Sequence, residues 1–231
     1  MNNALFVTAT DTGVGKTLVC GCLLHCLQDL GRKTVYQKWV ASGLAEPPTD
    51  LDIIRRLAPA ALPDRPELHL PYGFAYPASP HLAARMAGGR VEAAVIARAF
   101  AELRSRHEVV VEGVGGVLVP LNDGLLLADL LADCRPPTLV VARSGLGTIN
   151  HTLLTLEALR GRGIEVVGVV CSDERDGLDE RIVADNMTTV ASLGRVPVFG
   201  RLRRHSTVEE AATAFMPLAA AIVRALGWLE K

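Results

Sequence analysis

Aromatic residues make up only 4% of the 231-residue chain, too few to build stacking platforms for single-stranded nucleic acid. Excess charge of one sign is also missing. Lys and Arg together number 24 against 25 Asp and Glu, for a formal charge of −1, so no broad field draws in a polyanion or an anionic membrane. No apolar run reaches the roughly 20 residues of a bilayer span. The start, Met-Asn-Asn-Ala-Leu-Phe-Val, lacks the basic segment and cleavage region of a secretory signal. A soluble, cytoplasmic protein is expected, with neither nucleic acid nor membrane as partner. The five cysteines are an odd number without paired C-x-x-C spacing, which speaks against a disulfide framework or a zinc site. Cys20, Cys22 and Cys26 share one apolar helical stretch with His25 and read as reduced core thiols. What the chain does have is 49% hydrophobic and 21% charged residues, enough for one sizeable core. With no internal repeat, low-complexity tract or linker, residues 1–231 are expected to form a single domain.

Short β-branched runs recur at Leu5–Thr8, Thr34–Gln37, Val109–Val111, Thr138–Ala142, Val166–Val170 and Val196–Phe199. They are apolar on consecutive positions, as in strands of a parallel sheet covered on both faces. Between them, helical spacing runs through Thr17–Leu30, Glu92–Arg104, Ile149–Arg160, Asp179–Leu193 and Val208–Leu226. Gly31 stops the first helix, and Gly161 with Gly163 the one that begins near Asn150. Strand and helix alternating in this way predict a doubly wound α/β fold with a mainly parallel sheet flanked by helices. From Glu46 to Tyr76, Pro47, Pro48, Pro59, Pro63, Pro66 and Pro71 interrupt the pattern. This reads as an irregular excursion with one short helix near Asp52–Leu57, and excursions of about 30 residues tend to carry function.

The first strand runs into Thr10-Asp11-Thr12-Gly13-Val14-Gly15-Lys16-Thr17, followed at once by a helix. Such a loop turns backbone N–H groups inward above a helix N-terminus and cradles phosphate. Lys16 would reach the outer phosphates and the Thr17 hydroxyl would meet Mg²⁺. The strict G-x-x-x-x-G-K-[S/T] pattern fails at Thr10, so the loop is a variant, supported by its strand-loop-helix setting. These features predict a P-loop NTPase. Partition-type ATPases carry an extra lysine five residues before the main one, where Asp11 stands. The Asn-Lys-x-Asp tetrapeptide of guanine-binding switches is also missing.

Three further groups point at the same crevice, because ligands in open parallel sheets sit beyond the carboxyl ends of the strands. Glu112 ends the Val109–Val111 strand and can hold Mg²⁺ against phosphate oxygens. Gly113, Gly115 and Gly116 after it let backbone approach. Lys38 ends the second strand, where a second ammonium would offset charge on a transferring phosphoryl group. Ser42-Gly43 offers a hydroxyl and N–H groups to a small anion. Asp50 and Asp52 open the short helix; one can serve as its cap and the other reach a metal, and periodicity does not say which.

Five blocks, Thr8–Thr17, Lys38–Gly43, Ser79–His81, Val111–Gly116 and Leu146–His151, together resemble the dethiobiotin synthetase family over Phe6 to about Gly200. The resemblance implies an ATP- and Mg²⁺-dependent ligase of biotin biosynthesis. One amine of 7,8-diaminononanoate captures CO2 as a carbamate, the carbamate attacks the γ-phosphate of ATP, and the second amine closes the cyclic urea with release of phosphate. It also implies catalytic Lys16 and Lys38, and a nucleotide site of Thr12, Gly13, Val14, Gly15, Lys16, Thr17, Glu112, Gly113, Gly115, Gly116 and Ser172. Substrate contacts would come from Thr12, Ser42 and Asn150, and Mg²⁺ ligands from Thr17, Glu112 and either Asp50 or Asp52. Asn150 matches a residue that binds the substrate carboxylate across a dimer interface, which implies a homodimer.

Several positions depart from the family pattern. Ala9 replaces a glycine before the loop, and Trp39 a proline beside Lys38. Ser172 replaces an asparagine that in some members reads adenine, and Asn186 a tyrosine on the substrate tail. Gly200-Arg201-Leu202-Arg203-Arg204 stands in a more apolar segment's place and reads as an exposed basic turn. Two other classes share the motifs. A cobyrinic-acid-type amidotransferase ATPase appends a glutaminase domain for which 231 residues leave no room. A nucleotide-dependent switch would need no small substrate beside the phosphates.

Overall fold

The computed structural model describes residues 3–62 and 65–228; Pro63 of the excursion lies outside them. Strand β1 (Ala4–Ala9) is buried at every position. The phosphate-loop segment leads to α1 (Lys16–Asp29), whose stop is Gly31 in the left-handed region at φ 73°. β2 (Thr34–Lys38) and a two-residue β3 (Val40–Ala41) follow. The excursion holds α2 (Asp50–Leu57), a 3₁₀ turn at Pro59–Ala61, α3 (Pro66–His69) and β4 (Tyr72–Gly73), the last paired with β3. It is thus less irregular than its prolines predict, because Pro59 and Pro66 each begin a short helix, where a missing N–H costs nothing. Then come α4 (Pro80–Met86), α5 (Ala93–Arg104), β5 (Glu108–Glu112), the β6–β7 hairpin (Pro120–Asn122, Leu125–Leu126) and α6 (Leu127–Cys134). The second half alternates β8 (Thr138–Arg143), α7 (Thr148–Arg160), β9 (Val166–Ser172), α8 (Glu180–Gly194), β10 (Val198–Leu202) and α9 (Val208–Ala225).

The six long strands form one parallel sheet in the order β10-β9-β8-β1-β5-β2. The chain leaves β1 toward β2 on one side and later places β8 on the other. This reversal opens a crevice at the carboxyl ends of the central strands. Alternation along each strand feeds two cores. Leu5, Val7, Ala9, Tyr36 and Val110 join the core beneath α1, α2 and α9, whereas Ala4, Phe6, Val35, Val109 and Val111 join the one on the opposite face. Tyr36, Lys38 and Glu112 therefore share the α1 face of the sheet, with Lys38 directly opposite Glu112 in the β2–β5 ladder.

Two expectations are corrected. β10 runs Val198–Leu202 instead of Val196–Phe199, and Arg201 is no exposed turn residue. Its guanidinium makes two 2.7 Å bonds to a nearly buried Asp173 and reaches Glu180 at 2.8 Å, which pairs its charge where β10 forms the edge of the sheet. Trp39 is fully buried, 4.7 Å from Phe6 and 6.0 Å from Phe100 between ring centroids. Packing thus holds the backbone beside Lys38 where the family pattern has proline. Cys20, Cys22, Cys26 and Cys171 are buried free thiols and Cys134 is half-buried. No described helix is long and apolar enough to cross a membrane.

Candidate active site

The phosphate loop depends on glycine at one position above all. Gly15 precedes α1 at φ 102°, and a Cβ there would lie 2.7 Å from the Ser172 Oγ. Only glycine meets both demands. Asp11 shapes the other end, accepting the Thr12 N–H at 2.7 Å and the Arg143 guanidinium at 3.3 Å. Lys16 is curled back into the loop, its Nζ donating to the Gly115 carbonyl at 2.8 Å and the Asp11 carbonyl at 3.2 Å. Burial pushes its pKa down from 10.5 to about 8; Glu112 opposes that shift and Lys38 adds to it.

α2 reaches the crevice because α1 leaves room for it. A Cβ on Gly21 would fall 2.7 Å from the Leu57 Cδ1, so the two helices approach closely there. Burying Ile54 and Leu57 in that contact contributes about 2 kcal/mol each. This brings the first residue of α2, Asp50, over the Thr17 hydroxyl, which bonds Asp50 Oδ1 at 2.7 Å and Glu112 Oε1 at 2.8 Å. Lys38 Nζ lies between the same carboxylates, 2.5 Å from Asp50 and 2.6 Å from Glu112. Burial disfavours the Lys38 charge, but the two carboxylates outweigh it and hold the pKa above that of an ordinary lysine. Burial likewise opposes ionisation of Asp50, and Lys38 with Thr17 more than reverses this, leaving its carboxyl below the usual range.

The structure separates the two aspartates. Asp52 occupies the third position of α2, where its carboxylate accepts the Thr49 N–H at 2.9 Å and hydroxyl at 2.7 Å in a capping box. Its carboxylate is tied to the cap, and of the two aspartates it is Asp50 that lines the cavity with Thr17 and Glu112. Thr12, Gly13, Gly15, Lys16, Thr17, Lys38, Ser42, Asp50, Glu112 and Gly115 all line one cavity of about 370 Å³. Gly113 packs against Phe6 and Val14 points into the core, so any ligand meets only their backbone. Gly116 lies in a neighbouring apolar groove with His151 and Leu154, and Asn150 is exposed on α7 nearby. Asn186 is used structurally, its amide donating to the Ser144 and Gly145 carbonyls at 3.0 and 3.1 Å.

Sequence reasoning missed Tyr36, whose buried hydroxyl bonds Glu112 Oε2 at 2.7 Å. Its position two residues before Lys38 on one strand was the available signal, since i and i+2 share a face. Chemically, the cavity offers two ammonium groups, a phosphate-binding turn and three hard oxygens from Thr17, Asp50 and Glu112. Among the described residues no group of three or more His, Cys, Asp or Glu gathers as a metal site. One hydroxyl and two carboxylates are instead the sparse set that suits Mg²⁺ bound together with phosphates.

Comparison with known proteins gives the family and the fold group. The family model described as an AAA domain matches residues 3–212. The chain is 46% identical over 204 residues to the ATP-dependent dethiobiotin synthetase BioD of Brucella abortus (strain S19), covering 87% of this chain and 86% of that one. The chain belongs to the dethiobiotin synthetase family. Solved structures place this synthetase-family chain in a broader fold group. The MinC:MinD cell division protein complex of Aquifex aeolicus matches at a TM-score of 0.61 and 11% identity, covering 97% of this chain and 96% of that one. A ParA family ATPase from Chlorobium tepidum TLS matches at 0.56 and 13% identity, covering 98% and 99%. At such identities the likeness is one of fold, and the mainly parallel P-loop architecture is common to all three.

Proposed function

We propose that the protein is a dethiobiotin synthetase acting in the cytoplasm as one domain, joining CO2 to 7,8-diaminononanoate at the expense of ATP. The observation that carries this reading is Lys38: a second ammonium, beside Lys16 and Ser42, in the same cavity as the phosphate loop. A nucleotide switch has no use for it, whereas a carbamate held against a triphosphate needs positive potential between two like-charged groups. Thr17, Asp50 and Glu112 would hold Mg²⁺, which supplies neutralisation of the phosphate oxygens during transfer. Lys16 and the Gly13–Thr17 N–H groups would grip the outer phosphates, with Ser172 and Gly116 at the nucleotide's flank.

Thr12, Ser42 and Lys38 would orient the carbamate so that its oxygen attacks the γ-phosphorus. The P–O bond to ADP breaks and a carbamic-phosphoric anhydride forms. The second amine then attacks the carbonyl carbon, the C–O bond to phosphate breaks, and the ring closes with loss of a proton. Proximity supplies much of the rate, since both amines belong to one bound molecule. The site's second half is read as coming from another copy of the chain. The exposed Leu118, Leu146 and Leu154 beside Asn150 support a homodimer in which Asn150 binds the substrate carboxylate of the neighbouring subunit.

Phosphate release with ATP, Mg²⁺ and bicarbonate, measured with and without the diamine alongside mass detection of dethiobiotin, tests the reading. Diamine-dependent release with the cyclic urea as product is expected. Equal release without the diamine would overturn it in favour of a switch.

A further inference from the structure

We infer that Tyr36 is a positioning residue: its hydroxyl occupies one oxygen of Glu112 so that only the other faces the cavity, which tunes the site for a small divalent cation. This rests on the reading of Glu112 as a metal-holding group. Glu112 is 1% exposed, and its two oxygens have separate partners. Oε1 accepts from Thr17 at 2.8 Å and Lys38 at 2.6 Å, on the cavity side. Oε2 accepts from Tyr36 at 2.7 Å, on the core side. Among the described residues no other side chain donates to Oε2.

Tyr36 is itself held in place. It is fully buried in the core beneath α1, and its backbone is paired with Val110 of β5. Its carbonyl, on the outer edge of the sheet, accepts the His69 Nδ1–H at 2.5 Å. The ring therefore cannot swing to follow the carboxylate, and the carboxylate cannot rotate about its last bond without giving up the phenol. A carboxylate so tied offers a single oxygen. Mg²⁺ requires near-octahedral single-oxygen contacts, whereas the larger Ca²⁺ readily takes a carboxylate through both oxygens. Outer partners of this kind are typically worth about 10- to 100-fold in metal affinity.

The test replaces Tyr36 by phenylalanine, which keeps the ring and removes the hydroxyl. Mn²⁺ binding to the enzyme with a non-hydrolysable ATP analogue, read by electron paramagnetic resonance, is expected to weaken about 10-fold or more. The KM for Mg²⁺ should rise by a similar factor with a smaller change in kcat. Calcium affinity should fall less, narrowing the gap between the two ions, and binding of the analogue without metal should be unchanged. Leu24→Val, a lesion of the same core, should lower the melting temperature without moving metal affinity. In a Glu112→Gln background the Tyr36→Phe change should have no further effect on metal, and that neutral background keeps the test available if the single variant folds poorly. Mn²⁺ affinity within twofold of wild type in Tyr36→Phe, or an equal loss in Leu24→Val, overturns the inference. Unaltered Mn²⁺ affinity in Glu112→Gln alone would instead overturn the reading on which it rests.

Discussion

Replacing Lys16 by methionine should make the apoprotein more stable while abolishing ATP turnover. Methionine keeps most of the buried alkyl volume and discards the ammonium. Burial has lowered the Lys16 pKa from 10.5 to about 8, so below pH 8 the native state carries a charge that the unfolded chain solvates better. The unfolded chain holds this proton more tightly between pH 8 and pH 10.5, so the penalty is full below pH 8 and fades as pH rises to 10.5. At 1.36 kcal/mol per pKa unit it amounts to about 3 kcal/mol at pH 7 and about 1 kcal/mol at pH 10. Against this, the variant loses the hydrogen bonds to Gly115 and Asp11, about 1 kcal/mol each. A net gain of about 1 kcal/mol at pH 7 is expected, turning to a loss of similar size at pH 10. Urea unfolding of both proteins at the two pH values measures the difference, and nucleotide binding by calorimetry should show affinity lost in the variant. A variant that is less stable at pH 7, with no change of sign by pH 10, would refute the reading of Lys16 as a desolvated, buried ammonium.

The two aspartates of α2 should separate cleanly. Asp50→Asn is expected to cut turnover about 100-fold or more by disarming Lys38 and the oxygen set, whereas Asp52→Asn should cost only about 1 kcal/mol of stability and leave kcat/KM alone. Steady-state kinetics and melting curves on both variants decide this. Because the Asp50 pKa lies below the usual carboxylate range, its stabilising contribution should be present at neutral pH and lost only as pH falls through that lowered value, which an acid titration of Asp50→Asn against wild type will show. Gly15→Ala should abolish nucleotide binding through its φ of 102° and the contact with Ser172; retained affinity would mean that the loop can rearrange. Arg201→Ala, which leaves the nearly buried Asp173 without its partner, should destabilise by about 3 kcal/mol. A melting temperature within a degree of wild type would show the pair to be dispensable.

Much of this was legible in one dimension because the signals are local. Consecutive apolar residues marked the six parallel strands, and Gly15-Lys16-Thr17 after the first of them marked the phosphate turn. A glycine in the left-handed region and a helix N-terminus need no distant partner to be recognised. Lys38 and Glu112 were placed at strand ends, and hence in the crevice, by the rule that governs ligands in parallel sheets. The extra helices at Pro66–His69, Pro80–Met86 and Leu127–Cys134 escaped because they are too short to declare a period.

What only the tertiary structure decided are matters of which groups meet. Asp50 and Asp52 are chemically equivalent in sequence, and the close approach of Gly21 and Leu57 aims one at Thr17 while the capping box takes the other. The arginines at 201 and 203 read as solvent-facing until β10 laid Arg201 beside Asp173. Tyr36 looked like a strand aromatic, and only the β2–β5 register set its hydroxyl against Glu112. The physical reason is the same each time. Backbone preference and periodicity fix a residue's element and face, whereas the partner of a buried charge is chosen by long-range packing, 76 positions away in the chain for Tyr36 and Glu112.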